Sequence, residues 1–150
     1  MTTAEERFSG FVDIVGQVRS EHPNWFRLSG DPRATDEQLL AVEKSLRCEL
    51  PPAYRMFLSA FGGHHFAFVS IYSASPGSPA SMVARNDVPW LAGVGFVAFA
   101  DNGCGDFYGW RVLDGKIEDE VVLLDHASGE IVKSDFADFL DFVEREGLQR

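Results

Sequence analysis

The sequence predicts an α+β fold: a mostly antiparallel β-sheet meander set among amphipathic helices from the N-terminal third and the C-terminus. Two patterns carry this expectation. Apolar side chains recur at helical spacing near both ends of the chain, at Phe8, Phe11, Val12, Val15 and Val18 and again at Phe136, Phe139, Leu140 and Val143. Between them, short β-branched and aromatic runs alternate with turn-forming Gly, Asn, Asp and Ser. The centre of the pattern is FVAFADNGCGDFYGWRV, residues 96–112. Phe96, Val97, Ala98 and Phe99 form an uninterrupted apolar run, which suits a strand covered on both faces. Asp101-Asn102-Gly103-Cys104-Gly105-Asp106 then breaks the chain, because Asn and Gly tolerate tight-turn geometry and Asp carboxylates cap free amides. Phe107, Tyr108, Trp110 and Val112 resume a strand pattern, so a central hairpin with an acidic tip is expected.

Taken in order, the first helix opens on a capping box of Thr3 and Glu6 and ends near His22-Pro23, where proline disfavours helix in the residue before it. Trp25, Phe26 and Leu28 follow in a connecting segment expected to fold back as a lid, and Ser29-Gly30-Asp31-Pro32 is a cluster of turn formers. Thr35-Asp36-Glu37-Gln38 is a second capping box, opening a helix with Leu39, Val42 and Leu46 on its buried stripe. Pro51-Pro52 stops that unit and starts another, in which Tyr54, Phe57, Leu58 and Phe61 share one face and Gly62-Gly63 closes the end. Residues 65–72 read as a strand, and residues 73–81 as a flexible loop. Residues 82–95 are ambiguous, and Pro89-Trp90 argues against one continuous regular element there. After the central hairpin, Asp114-Gly115 makes a tight turn, residues 121–124 a buried strand, and Ser128-Gly129 a turn into Ile131-Val132. Ser134 is expected to cap the last helix, leaving Asp135, Asp138, Asp141 and Glu144 mostly in water.

A chain of 150 residues is long enough to bury a core without staples, and one domain is expected. Thirteen Phe point to a dense aromatic core, or to rings exposed at a docking surface. The net charge of −10 opposes direct binding to phosphate backbones and favours a basic protein partner, unless it serves only solubility. The opening MTTAEERFSG has no apolar core of a secretory signal, and the longest apolar stretch, residues 91–100, is about half a membrane span. A soluble cytoplasmic protein is expected, with Cys48 and Cys104 as reduced thiols at no metal spacing.

Three blocks in this order resemble one family. TDEQLLAVEKSLRCELPPAYRMFLSAFGG, residues 35–63, is similar to its helix with an internal Glu (here Glu43), a Leu-Pro step (Leu50-Pro51) and a short aromatic helix ending in glycines. FADNGCGDFYGW is similar to its strand with an acidic Gly-Asp turn, and VVLLDHASGEIVKSDFADFLDFV to its late strand, Asp-His turn and Phe-x-x-Phe-Leu helix. The blocks cover most of residues 35–143 and resemble the SUKH superfamily, named in part after a yeast regulator of cell-wall assembly and populated largely by bacterial immunity proteins. Cys48, at a usually larger apolar position, and Cys104, inside the turn, depart from the pattern without disturbing it. The resemblance implies helices packed on a mostly antiparallel sheet, and a binding module that occludes a cognate toxin, often a nuclease or deaminase, in bacteria, or acts as an interaction scaffold in eukaryotes.

The residues that fit such a role are Asp101 and Asp106 at the hairpin tip, with Asp114 and the run Glu118-Asp119-Glu120 placed on the next turn. An acidic inhibitor can mimic the phosphate charge of the toxin's substrate. Tyr108 or Trp110 would be the anchors if exposed. The competing reading is structural: Asp101 and Asp106 cap the turn, residues 118–120 are a solvated hairpin, and Trp110 is core. Catalytic and cofactor readings are weaker. Residues 101–106 lack calcium ligands at alternate positions because Gly103 and Gly105 stand there. His64 and His65 are adjacent on a strand and point apart. Asp125-His126 resembles a catalytic pair, yet no nucleophile elbow accompanies it, and Gly93 and Gly95 precede a strand and so make no phosphate loop. No cofactor or metal and no catalysis are expected.

Overall fold

The computed structural model describes residues 3–91 and 93–150, with Trp90 through its backbone alone. Met1 and Thr2 of the polar opening and Ala92 of the 82–95 stretch lie outside the described residues. Five helices and two antiparallel sheets give the α+β fold among the described residues. α1 (Ala4–Glu21) is capped by Thr3, whose hydroxyl accepts the Glu6 amide at 3.1 Å. In α2 (Asp36–Leu46) the capping box closes in both directions, Thr35 with Gln38, each bond 3.1 Å. α3 (Pro52–Phe61) starts on its proline and ends at Gly62, left-handed at φ 84°. α4 (Met82–Asn86) is one short turn capped by Ser81. These starts and stops follow the local chemistry of the caps.

Residues 65–72 do not form one strand. They divide into β1 (His64–Phe66) and β2 (Val69–Ile71), a hairpin whose loop holds Ala67 at φ 51° and leaves Phe68 57% exposed. No Gly, Asn or Pro marks that turn, so its position depends on packing and not on turn chemistry. The four-stranded sheet runs β3 (Phe96–Asp101), β4 (Phe107–Leu113), β5 (Lys116–Leu124) and β6 (Ile131–Lys133), each strand antiparallel to the next. β3 is buried over five consecutive residues, as its unbroken apolar run requires. At the C-terminus, α5 (Phe139–Phe142) starts three residues beyond Phe136 and is capped by Asp138, which accepts the Asp141 amide at 2.8 Å. Ser134 instead binds the Val121 carbonyl and the Phe136 amide, tethering the end of β6 to β5. Asp138, Asp141 and Glu144 are half-buried, the first and last beside Arg7 at 3.6 and 3.0 Å.

The buried side chains form one cluster, and it is aromatic. Phe57 lies edge-on to Phe139 at 5.3 Å and to Phe66 at 5.0 Å; Phe139 also meets Tyr54 and Phe99, each at 5.0 Å. Such tilted and edge-to-face pairs suit the ring quadrupoles. Of the thirteen Phe, only Phe68 is mainly exposed. The lid expected after α1 is partial: Trp25 and Phe26 are half-buried, but Leu28 is 65% exposed.

The loop at residues 73–81 is pinned. Ser73 and Ser78 donate their hydroxyls to one oxygen of Asp31, at 2.5 and 2.7 Å, and His64 approaches the other at 3.4 Å. Burial raises the Asp31 pKa, but the two hydroxyl bonds and His64 outweigh it and hold the carboxyl below its ordinary value. The backbones of Asp31 and Pro32 press on Gly62, where an added Cβ would clash with the Asp31 carbonyl oxygen. Gly62→Ala is therefore expected to cost about 2–4 kcal/mol, from left-handed strain together with overpacking. Urea unfolding measures this directly, and an unchanged midpoint would show that the backbones separate freely.

Candidate functional site

The β3–β4 turn is held by its own polar side chains. Asp101 accepts the Gly103 amide at 2.9 Å and the Tyr72 hydroxyl at 2.7 Å. Asn102 accepts the amides of Cys104 and Asp106 at 2.8 and 3.2 Å and donates to Asp106 Oδ2 at 2.9 Å. The other Asp106 oxygen accepts the His126 backbone amide at 3.0 Å and meets His126 Nδ1 at 2.6 Å. Both carboxylates thus cap turns, and Asp106 also ties the β3–β4 tip to the β5–β6 turn. The His126 amide, the His126 ring and the Asn102 amide group together hold the Asp106 carboxyl at about 2.

That depression carries a pH signature. A carboxylate whose folded pKa lies below its unfolded value contributes stability above the unfolded value and loses it as pH falls through the folded one. The Asp106–His126 link is expected to persist down to pH 3.8 and to release between there and about 2. NMR titration of the Asp106 carboxyl carbon reads this; a midpoint at the ordinary aspartate value would mean the link is absent in solution.

Asp125 and His126 do not form a pair. Asp125 accepts the Ala127 amide and the Ser128 hydroxyl, both at 3.0 Å, capping its own turn while His126 faces Asp106. Asp106, Asp125 and His126 are the one group among the described residues whose ligand-type atoms gather closely, within 4.8 Å of one another. The turn-capping bonds account for that proximity.

At the other end of β4, Asp114 and Gly115 both take positive φ, 52° and 76°, making the two-residue hairpin turn their sequence predicts. The run Glu118-Asp119-Glu120 is not on that turn but inside β5. There it forms a bulge: Val121 pairs with Trp110 and Ile117 with Val112, so three residues of β5 stand opposite Arg111 alone. All three acids are consequently exposed, where a regular strand would send alternate side chains to opposite faces.

The eight candidates therefore do not make one patch. Asp101 and Asp106 lie at one end of β4, and Asp114 with residues 118–120 toward the other, about 20 Å apart along a seven-residue strand. Tyr108 is half-buried between them, 4.8 Å from the Phe142 ring. Trp110 is fully buried against Tyr54 at 5.1 Å, so it belongs to the core and is not a surface anchor in this fold. Sequence reasoning missed a cleft of about 810 Å³ between the end of α2 and the β4–β5 turn, lined by Leu40, Arg47, Leu50, Pro51, Asp114 and Ile117. One signal was available: Leu40 lies off the Leu39/Val42 stripe, and it is 60% exposed.

Residues 36–140 match the family model described as SMI1-KNR4 cell-wall, SUKH_6. The chain belongs to this SUKH family. No curated protein and no solved structure matches it. Within the SUKH span, the internal Glu43 has a visible structural role. Its Oε2 accepts the Leu50 amide at 2.7 Å and its Oε1 meets Arg55 at 2.6 Å. It clamps the Leu50-Pro51 step between α2 and α3, fixing one wall of the cleft. The SUKH family points to protein interaction, and no helix among the described residues is long and apolar enough to cross a membrane.

Proposed function

We propose that this SUKH chain is a single-domain cytoplasmic immunity protein that binds a cognate toxin with a basic surface and covers its active site. The observation that carries the proposal is the combination of family with charge: a SUKH domain of net charge −10 that displays three consecutive acids outside its strand ladder. Exposed carboxylates steer a basic partner and repel nucleic acid. Two free cysteines, one of them exposed, accord with a reducing compartment. The proposed action is binding alone, without catalysis, metal or cofactor.

The alternative is a regulatory scaffold of the same fold with several partners. It draws on exposed apolar side chains at both ends of β4: Phe68, which lines a second cleft of about 300 Å³ with Asp101 and Tyr108, and Leu40 and Leu113 near Asp114. Affinity capture of the tagged chain from its native host, under conditions that induce toxin secretion, separates the two. One stoichiometric protein with a basic toxic domain, whose activity this chain abolishes, is the expected result. Recovery of several housekeeping proteins, or of nothing, would favour the scaffold.

A further inference from the structure

We infer that residues 117–120 of β5 are a strand-addition site for an extended, lysine- or arginine-bearing segment of a partner protein. This rests on the protein-binding reading above for the class of partner, and goes beyond it in naming the site and the form of the ligand.

The edge is open. β6 pairs only with Val122, Leu123 and Leu124, and the bulge removes residues 118–120 from the β4 register, so these three have no strand partner on either side. The parallel bridge between Glu49 and Lys116 closes the edge at its start. An unpaired edge presents amides and carbonyls to any extended chain that can approach. The carboxylates of Glu118, Asp119 and Glu120 make no ion pair among the described residues, leaving their charge uncompensated. A basic segment would meet complementary charge, whereas a second copy of the chain would set three acids against three.

A second observation stands independently of the acids. Asp119 and Trp110 line the same cleft, about 440 Å³, with Pro51 to Ala53 on one side and Ala137 to Leu140 on the other. Trp110 Nε1 is the one side-chain polar atom buried without a hydrogen-bond partner among the described residues. A buried donor without an acceptor is costly. Trp110 borders the cleft beside Asp119, so its indole N–H reports on what occupies the edge there.

The test is an NMR titration of the full chain with three blocked hexapeptides: alternating lysine and valine, alternating glutamate and valine, and alternating lysine and proline. The first should give saturable shifts at the amides of residues 117–120 and at the Trp110 indole N–H. The acidic peptide lacks the charge, and in the proline peptide every second amide is missing and the rings crowd the ladder, so each should bind at least tenfold more weakly. The Glu118→Lys/Glu120→Lys variant, altered only at exposed side chains, should keep its spectrum elsewhere and lose the lysine-valine peptide by a similar factor. Absence of saturable binding, equal binding of the acidic or proline peptide, an unmoved Trp110 indole, or unaltered binding by the variant would each overturn the site. Dimerisation of the wild-type chain through this edge, seen by sedimentation, would replace the occupant with a second copy and overturn the basic-segment assignment. A captured toxin whose footprint lies elsewhere would remove the edge and leave the immunity reading; peptide binding with no toxin captured would do the reverse.

Discussion

Phe57→Ala is expected to lower the free energy of unfolding by about 3–5 kcal/mol, and Phe139→Ala by a similar amount. Both rings are buried, at 0% and 2% exposure, and they lie edge-on to each other at 5.3 Å. Each also joins separate parts of the fold. Phe57 links α3 to Phe11 of α1 and Phe66 of β1, while Phe139 links α5 to Tyr54 and to Phe99 on β3. Truncation would remove buried ring area and leave a cavity with walls from several elements, which collapse poorly. Because the two rings touch, the double variant should cost less than the sum of the singles. Equilibrium unfolding in urea measures all three. A loss below about 1 kcal/mol at either position would mean that the aromatic cluster repacks, contrary to a close-packed core.

Reversing Glu118, Asp119 and Glu120 together to Lys is expected to slow association with a basic toxin by on the order of ten- to a hundredfold at low ionic strength, and by much less at high salt. The three side chains are exposed and unpaired with any cation among the described residues, so the change acts on the encounter and leaves the core intact. Stopped-flow association across a salt series reads the effect. Unchanged rates would move the interface to the other end of β4 or off the sheet. The same variant should unfold at the same urea concentration as the wild type, which separates loss of steering from loss of fold.

Much of the architecture was legible because its determinants are local. The Thr3 and Thr35 caps, the Pro52 start and Gly62 stop of α3, and the Asp114-Gly115 turn are each decided within four or five residues. Three local signals failed. Ser134 has the chemistry of a cap, but its hydroxyl is engaged by the Val121 carbonyl, and Asp138 caps the helix instead. The turn at Ala67 has no turn residue to announce it. The 73–81 loop has a flexible composition, yet two of its serines reach Asp31, more than forty positions earlier for each.

The candidate site shows the same division more sharply. Its acidity, its aromatic content and the SUKH pattern are properties of composition and short-range order, so the sequence alone determined the fold class, the family and the sign of the surface. Whether a given acid is free or engaged is a different kind of fact. Asp106 is spent on His126, twenty positions later, while Glu118, Asp119 and Glu120 are free because a bulge lifts them out of register with β4 and because the pairing of β5 with β6 ends at Val122. Trp110 is core because Tyr54, Phe99 and Phe139 close over it. Pairing register and the packing of distant elements depend on contacts between residues far apart in the chain, and these come into existence only when the chain has folded. Tertiary structure therefore decided which carboxylates a partner can reach and that the two acidic turns lie at opposite ends of one strand.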